Sequence, residues 1–329
     1  MSSSAVLNID NLSLEFPAYR SNVQALNGVS LHVNPGEIVG VVGESGSGKS
    51  VTAMLSLRLL PERSYRITSG SLSLLGRDML ATPEKQLLQI RGRDAAMIFQ
   101  EPMTALNPTR RIGRQMLDVI IHHQRLSQEQ ARAKAIDLLR DMHIADPEQV
   151  LQAYPFELSG GMRQRVMIAL AFSCDPQLLI ADEPTTALDV TVQRQVLLLL
   201  REKARQRGTA ILLITHDMAV VSQFCDRVYV MYTGAVVEQG STAQVMLDPQ
   251  HPYTRGLLSG LPEQVRPGEP LLTIPGQVPN LAHLPGGCTF RERCSQAMAV
   301  CAQRPPLHSI NASQQHKSAC WLAAPESAQ

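Results

Sequence analysis

Short apolar runs alternate with helical patterns along the first 245 residues of the chain. An apolar run at residues 37–42 precedes a glycine-rich turn and a helical pattern, and the runs at 177–182 and 209–215 are typical of buried strands. Strands that alternate with helices predict the α/β class of fold. We therefore expect an α/β domain over residues 1–245.

A helical pattern without strand runs fills the middle of this domain. In SQEQARAKAIDLLRDM, Ser127 and Gln130 have the spacing of a capping box, in which each side chain bonds to the backbone of the other residue. One predicted apolar face follows, and it consists of Ala131, Ala135, Leu138, Leu139 and Met142. We expect an amphipathic helix here.

The last part of the chain has a different composition. Nine of the 21 prolines lie from Pro262 onward, where the aromatic residues are Phe290 and Trp321. Such a segment has few side chains that could build a core, so we expect an irregular extension over residues 246–329.

Composition and charge exclude some classes of protein. The 329 residues include 30 basic and 29 acidic side chains, so the net charge of +1 supplies no long-range attraction for nucleic acid. Aromatic residues make up 4% of the chain, which argues against a stacking platform for single strands. No signal peptide and no apolar run of about 18 residues is found, which predicts a soluble, cytoplasmic chain.

The glycine-rich turn fits a phosphate-binding loop. Gly43, Gly48, Lys49 and Ser50 match the P-loop pattern between a predicted strand and a predicted helix. Glycines let backbone amides approach an oxyanion, and the start of a helix adds unpaired N–H groups. Lys49 would bind the β- and γ-phosphates of ATP, and the Ser50 hydroxyl would bind Mg²⁺. Ser45, Gly46 and Val51 complete this candidate set.

Two later strands end in residues that suit the same chemistry. Asp182 would join the Mg²⁺ shell, and Glu183 would act as the general base for water. His216 follows the next predicted strand and could bond to a γ-phosphate oxygen or position the water. Acids often cap strands or helices, so the P-loop match is what favours a catalytic interpretation.

A second candidate anion site lies in LSGGMRQRVMIALA at residues 158–171. Ser159, Gly160 and Gly161 directly precede a predicted amphipathic helix. From the residues alone, Ser159 is either an ordinary N-cap, part of a second anion site, or a group offered to another subunit.

The P-loop, the LSGGM, LLIADE and THD motifs, in this order, resemble the nucleotide-binding subunit of an ABC transporter. The resemblance implies a head-to-tail dimer in which Ser159–Gly161 bind ATP across the interface and Asp189 connects the two sites. Gln100 then matches the loop that senses Mg²⁺ and γ-phosphate and contacts the membrane partner. Phe16, with Tyr19 as the alternative, would stack on adenine. The implied fold is an α/β P-loop NTPase core with an antiparallel β region, a mobile helical signature subdomain at about 101–165 and the Cys-containing extension.

Four segments resemble the peptide and nickel importer branch, with the strongest likeness to D,D-dipeptide ATPases. They are EPMTALNP (101–108), HPYTRGLL (251–258), IPGQVPN (274–280) and GGCTFRERC (286–294). The resemblance implies a second, non-identical ATPase subunit, two transmembrane permeases and an extracytoplasmic binding protein. It places the chain on the cytoplasmic face of the membrane. Alternatives are a nickel or other small-solute importer, a soluble ABC ATPase of translation or DNA repair, and a redox-regulated subunit.

The chain has six cysteines of two kinds. Cys174 and Cys225 lie among apolar residues and are expected to be buried thiols. Disulfides are rare in the cytosol, so Cys288, Cys294, Cys301 and Cys320 are expected to share a metal. Thiolates suit either zinc or an iron–sulfur cluster, and free thiols are a further alternative. The resemblance favours a [4Fe–4S] cluster.

Overall fold

The computed structural model describes residues 5–19, 21–100, 105–185, 189–261, 273–310 and 313–324. The strands are β1 (Leu7–Phe16), β2 (Val23–Val33), β3 (Ile38–Val42), β4 (Arg66–Leu74), β5 (Arg77–Asp78), β6 (Ala95–Ile98), β7 (Leu178–Asp182), β8 (Ala210–Thr215), β9 (Arg227–Tyr232), β10 (Ala235–Ser241), β11 (His308–Ile310) and β12 (Ser313–Ser318).

The helices are α1 (Lys49–Ser56), α2 (Glu84–Ile90), α3 (Ile112–Gln124), α4 (Gln128–Asp141), α5 (Pro147–Gln152), α6 (Gly160–Ala171), α7 (Val190–Arg207), α8 (Met218–Phe224), α9 (Thr242–Leu247) and α10 (Pro252–Ser259). Across the described segments, no helix is both long enough and apolar enough to span a bilayer.

The described residues form two compact units. The first contains 81–212 with the short segments 5–6 and 34–37, and the second contains 7–33, 38–80 and 213–324. The two domains expected from the sequence, 1–245 and 246–329, stay a prediction.

The second unit contains an antiparallel sheet with strand order β2-β1-β4-β5. Alternate residues of β1 are buried in its first half, where Leu7 and Ile9 are inside and Asn8 and Asp10 are exposed. A period of two is the pattern of a strand with one face on the core and one face in water. This sheet is the antiparallel β region that the resemblance implied.

A second set of strands in this unit has the order β11-β12-β10-β9-β3. All five residues of β3 are buried, and β3 pairs in parallel with β9. Continuous apolar runs of this kind are typical of parallel strands that are covered on both faces. The strand β3 leads directly into the glycine-rich loop, so its burial anchors one end of that loop.

The C-terminal extension contains more regular structure than its composition predicted. The strand β12 pairs with β10 at Glu238 and Ser318, and β11 pairs with β12. Phe290 is 3% exposed, with Tyr232 and Tyr253 at ring distances of 5.3 and 5.4 Å. Residues of the extension therefore extend the sheet edge and add an aromatic side chain to the core. Its other described segments are helix α10, 3-10 turns and loops.

The first unit contains the strands β6 and β7, which pair in parallel, the first three residues of β8, and helices α2 to α7. Helix α4 begins with the predicted capping box: Gln130 N donates to Ser127 Oγ at 3.2 Å, and Ser127 N donates to Gln130 Oε1 at 3.0 Å. Its predicted apolar face is buried as a whole, with Ala131, Ala135, Leu138, Leu139 and Met142 at 3% exposure or less. The amphipathic helix is confirmed.

Candidate nucleotide-binding site

The glycine-rich loop connects the buried strand β3 to helix α1. A Cβ atom at Gly43 would overlap the carbonyl oxygen of Met231, and one at Gly48 would approach Ala25 O to 2.7 Å. Gly48, the N-cap of α1, also has φ +95°, a conformation that side chains with a Cβ rarely adopt. Both glycines are therefore required by their surroundings. Ser45 and Gly46 form the exposed part of the loop.

The Lys49 ammonium lies beneath this loop and is 6% exposed. Its Nζ donates to Gly43 O at 2.7 Å, Glu44 O at 2.9 Å and Ser47 Oγ at 3.3 Å. A buried cation is costly unless polar groups surround it, and these oxygens supply that compensation. Ser50 and Val51 follow in the first turn of α1, partly exposed. The Lys49 charge and the N-terminus of α1 thus lie at the same loop, and this combination suits a phosphate ligand.

In the first unit, the structure brings together two of the predicted catalytic residues. Gln100 Nε2 donates to Glu183 Oε2 at 3.0 Å. Asp182 ends β7 and is 5% exposed, and Glu183 has φ +44°. A positive φ at a residue with a side chain is uncommon and concentrates at functional sites. Glu183 therefore directly follows a buried strand, and its carboxylate accepts a hydrogen bond from the Gln100 amide.

Ser159 begins helix α6 as a side-chain N-cap, with Met162 N donating to its Oγ at 3.3 Å. Gly160 and Gly161 form the first turn, and a Cβ at Gly161 would come within 3.1 Å of Val192 Cγ1. Asp189 caps α7 in the same way, with Val192 N donating to its Oδ1 at 3.0 Å. The structure thus shows both residues as caps, and the proposed binding of ATP from a second subunit stays a prediction.

The remaining predicted residues lie in the second unit. His216 is exposed at the end of β8, and the next residue, Asp217, caps α8 through a bond from Ala219 N of 2.8 Å. Phe16 is half-buried at the end of β1, whereas the Tyr19 side chain is fully exposed. Residues 101–104, which follow Gln100, and residues 186–188, which precede Asp189, lie outside the described residues.

Comparison with known proteins identifies the family. The family model "ABC transporter" matches residues 26–186, and the model "Oligopeptide/dipeptide transporter, C-terminal region" matches residues 237–301. The chain is 64% identical, over 98% of both sequences, to the Probable D,D-dipeptide transport ATP-binding protein DdpD of Escherichia coli K12. The chain belongs to the ABC transporter family.

Other relatives agree with this assignment. The ABC ATPase is 44% identical to the dipeptide transport ATP-binding protein DppD of Bacillus subtilis 168, over 96% of this chain and 94% of that protein. It also resembles the solved ATP-binding cassette MJ0796 in a dimeric post-hydrolysis state with ADP and Pi. The TM-score is 0.64 at 26% identity, with 72% of this chain and 98% of that chain covered. The predicted P-loop NTPase fold of the ABC ATPase type is confirmed, and ATP and Mg²⁺ are the ligands expected of such an enzyme.

Sequence reasoning missed a set of residues that packs against the P-loop of this ABC ATPase. Glu44 N donates to Tyr253 Oη at 2.7 Å, and the Glu44 carboxylate pairs with Arg293. Burial raises the pKa of the Tyr253 hydroxyl, which stays protonated. The sequence carries only a weak signal for these contacts: Glu44 stands at a position that the P-loop pattern leaves unspecified, and Arg293 lies far along the chain.

The cysteines divide as expected into two kinds. All six are free thiols, and Cys174 and Cys225 are each 8% exposed. Burial raises the pKa of both thiols, so they remain protonated and inert. Their prediction as buried thiols is confirmed.

The other four cysteines line one narrow cavity of about 20 Å³, and Cys288, Cys294, Cys301 and Cys320 share it with His251 and Trp321. Backbone N–H groups point at the sulfur atoms: Gln296 N lies 3.4 Å from Cys294 Sγ, and Met298 N lies 3.4 Å from Cys301 Sγ. Within the described ranges, however, no group of three or more His, Cys, Asp or Glu side chains could hold a metal ion. The predicted metal site is therefore not confirmed, although the four cysteines line the same cavity.

Proposed function

We propose that this ABC ATPase powers the import of short peptides, with D,D-dipeptides as the substrate class. The observation that carries this proposal is the match of its C-terminal region to oligopeptide and dipeptide transporters, together with 64% identity to a relative named for D,D-dipeptide transport. The alternatives are import of nickel or another small solute by the same branch, and a soluble ABC ATPase without transport.

The chain's own residues suggest how hydrolysis proceeds. Lys49 would bind the β- and γ-phosphates of ATP. Ser50 and Asp182 would hold Mg²⁺, and the ion would supply neutralisation of phosphate charge. Glu183 accepts the proton of the attacking water, and Gln100, its 3.0 Å partner, holds that carboxylate in place. His216 positions the water. These assignments rest on motif order and on the buried, polar placement of Lys49 and Asp182.

A second set of residues would act across the interface between two ATPase subunits. Ser159, Gly160 and Gly161 of one protomer contact ATP bound to another, and Asp189 connects the two sites. Phe16 stacks on adenine, with the fully exposed Tyr19 as the alternative. A dimeric relative with ADP and Pi supports this proposal. In the proposed cycle of this chain, ATP binding closes a head-to-tail pair of ATPase subunits, and hydrolysis with phosphate release reopens the pair.

Peptide-importer ATPases work with a paired ATPase and membrane permeases, and they act at the cytoplasmic side of the membrane. For this chain we propose a non-identical paralogue as the paired ATPase, two transmembrane permeases and an extracytoplasmic solute-binding protein. The chain would attach to the inner membrane peripherally through the permeases, with Gln100 in the contact loop.

Purification of the assembled transporter tests the transport proposal. We expect the chain to co-purify with two polytopic membrane proteins, and we expect D-alanyl-D-alanine with the cognate binding protein to stimulate ATP hydrolysis by the assembly. L-alanyl-L-alanine is the matched control for stereochemistry, and Ni²⁺ is the control for the nickel alternative. Stimulation by Ni²⁺ alone, or purification without any membrane protein, would contradict the proposal.

The general base is tested separately. Glu183→Gln keeps the size and hydrogen-bonding shape of the side chain but removes its ability to take a proton. We expect ATP binding to be retained and hydrolysis by the assembly to fall by a factor of about 10² or more. Full ATPase activity of this variant would remove Glu183 from its role.

We also propose that Cys288, Cys294, Cys301 and Cys320 hold a [4Fe–4S] cluster, with zinc as the alternative. The donor set of four thiols and the N–H groups near the sulfurs support a metal–thiolate centre. A cluster binds its thiolates to separate irons, so it does not need them to converge on one ion as zinc does. The bound centre would cross-link the extension.

Metal analysis of anaerobically purified protein tests this assignment. About four irons per chain and a brown colour are expected, and substitution of the four cysteines by serine should abolish both. A colourless preparation with one zinc per chain would favour the alternative, and a metal-free folded protein would refute both.

A further inference from the structure

Three groups of Glu44 in the P-loop, its N–H, its carbonyl oxygen and its carboxylate, each have a hydrogen-bond partner. Its N–H donates to Tyr253 Oη at 2.7 Å, and its carbonyl oxygen accepts from Lys49 Nζ at 2.9 Å. Its carboxylate accepts two parallel bonds from Arg293, with Nη1 to Oε2 at 2.7 Å and Nη2 to Oε1 at 3.0 Å. Backbone and side chain of this one residue are thus fixed together, and two of the three partners come from the C-terminal extension.

Arg293 is itself fixed in position. The residue is 8% exposed, its Nε donates to Pro275 O at 2.9 Å, and its Nη1 lies 3.3 Å from Tyr232 Oη. The guanidinium also lies 5.8 Å from the ring centre of Phe290. A buried guanidinium in a bidentate pair is among the strongest and most directional contacts that a side chain can make. Its partner therefore has little freedom.

The pair also affects the charge at the loop. Without Arg293, the Glu44 carboxylate would place an unpaired negative charge in the phosphate-binding loop, next to the start of α1. A triphosphate carries several negative charges, so an unpaired carboxylate there would repel it. The bidentate contact both neutralises this charge and keeps Glu44 O within reach of the Lys49 ammonium.

We propose that Arg293 is a positioning residue for nucleotide binding, acting through Glu44, so that the C-terminal extension sets the ATP affinity of the P-loop. Arg293 does not need to touch ATP for this. The extension is then part of the nucleotide-binding machinery and does more than extend the sheet. This inference depends only on the ABC ATPase assignment and is independent of which solute is transported.

The experiment compares ATP binding by variants of the full-length chain. A fluorescent ATP analogue is titrated into the wild type and into Arg293→Met, Arg293→Lys, Glu44→Gln and the double variant Arg293→Met with Glu44→Gln. We expect Arg293→Met to weaken binding about tenfold, which corresponds to the loss of one strong charged contact. Arg293→Lys keeps the charge but not the fork, so partial recovery is expected.

The double variant separates a positioning role from a general loss of stability. If Arg293 acts through Glu44, adding Glu44→Gln to Arg293→Met must not weaken binding further, and it should recover part of the loss by removing the unpaired charge. In the assembled transporter, the KM for ATP should rise while kcat changes less than twofold. Arg291→Met, which removes the same charge from the same turn, is the matched control and should bind ATP as the wild type does.

Several results would overturn the proposal. Arg293→Met with wild-type ATP affinity and only a lower melting temperature would make Arg293 a structural anchor. Losses that multiply in the double variant would show that the two residues act independently. If Arg293→Met does not fold, Arg293→Lys and Glu44→Gln carry the same comparison, and unchanged ATP affinity in both would refute the inference.

Discussion

Acidification should destabilise the second unit through one buried histidine. His251 is the N-cap of α10 and is 1% exposed. Its Nδ1 accepts a bond from Tyr253 N at 3.0 Å, so the folded state holds the neutral ring. Burial, aided by Arg255 and opposed by Glu238, lowers the pKa of His251 from 6.5 to about 4. In the unfolded chain the ring regains its ordinary value.

The sign and size of the effect follow from proton linkage. Between pH 6.5 and 4 the unfolded chain binds a proton that the folded chain does not, so the free energy of unfolding falls as the pH falls through this range. For these two pKa values, the loss between pH 7.5 and pH 5 is about 2 kcal/mol. The contribution is fully present above the unfolded pKa and is lost toward the folded pKa.

Urea unfolding at pH 7.5 and pH 5 measures this loss. The single tryptophan of the chain, Trp321, lies in the same unit as His251, so its fluorescence reports on the relevant transition. His251→Asn is the matched variant because asparagine also caps helices but does not titrate. We expect the wild type to lose about 2 kcal/mol more than this variant between the two pH values. A difference below about 0.5 kcal/mol would refute the assignment of a neutral, desolvated His251.

Two further substitutions test the local geometry. Gly43→Ala forces a Cβ onto Met231 O, so ATP binding measured by nucleotide titration should weaken at least about tenfold. Gly286 has open space around it, so the control variant Gly286→Ala should bind ATP as the wild type does. Equal affinities of the two variants would contradict the role of Gly43 in the loop. Ser127→Ala removes the capping box of α4. It should lower the free energy of unfolding, measured by circular dichroism, by about 1 kcal/mol. The exposed neighbour Gln128→Ala is its control, and an equal effect of both changes would show that the cap contributes nothing.

The sequence by itself determined the features that depend on neighbouring residues. A short apolar run before a glycine-rich turn predicts β3, the P-loop and α1, because strand, turn and helix signals lie within about 20 positions of one another. The capping box at Ser127 and the apolar face of α4 are local in the same sense. The order of four such motifs was enough to indicate the ABC ATPase fold, which the structure and the relatives confirm.

The tertiary structure alone decided the contacts between distant segments. Arg293 and Glu44 are 249 positions apart, and the pairing of β12 with β10 adds strands from a proline-rich tail that had no periodic pattern. Neither contact leaves a local signal in the sequence. A charged pair or a strand pairing between distant segments depends on how the chain folds back, and not on the spacing of neighbouring residues. The same holds for the four cysteines, whose approach to one cavity needs the extension to fold, and for the bond between Gln100 and Glu183. The motifs therefore predicted which residues belong to an ATPase, and the fold decided which residues hold them in place.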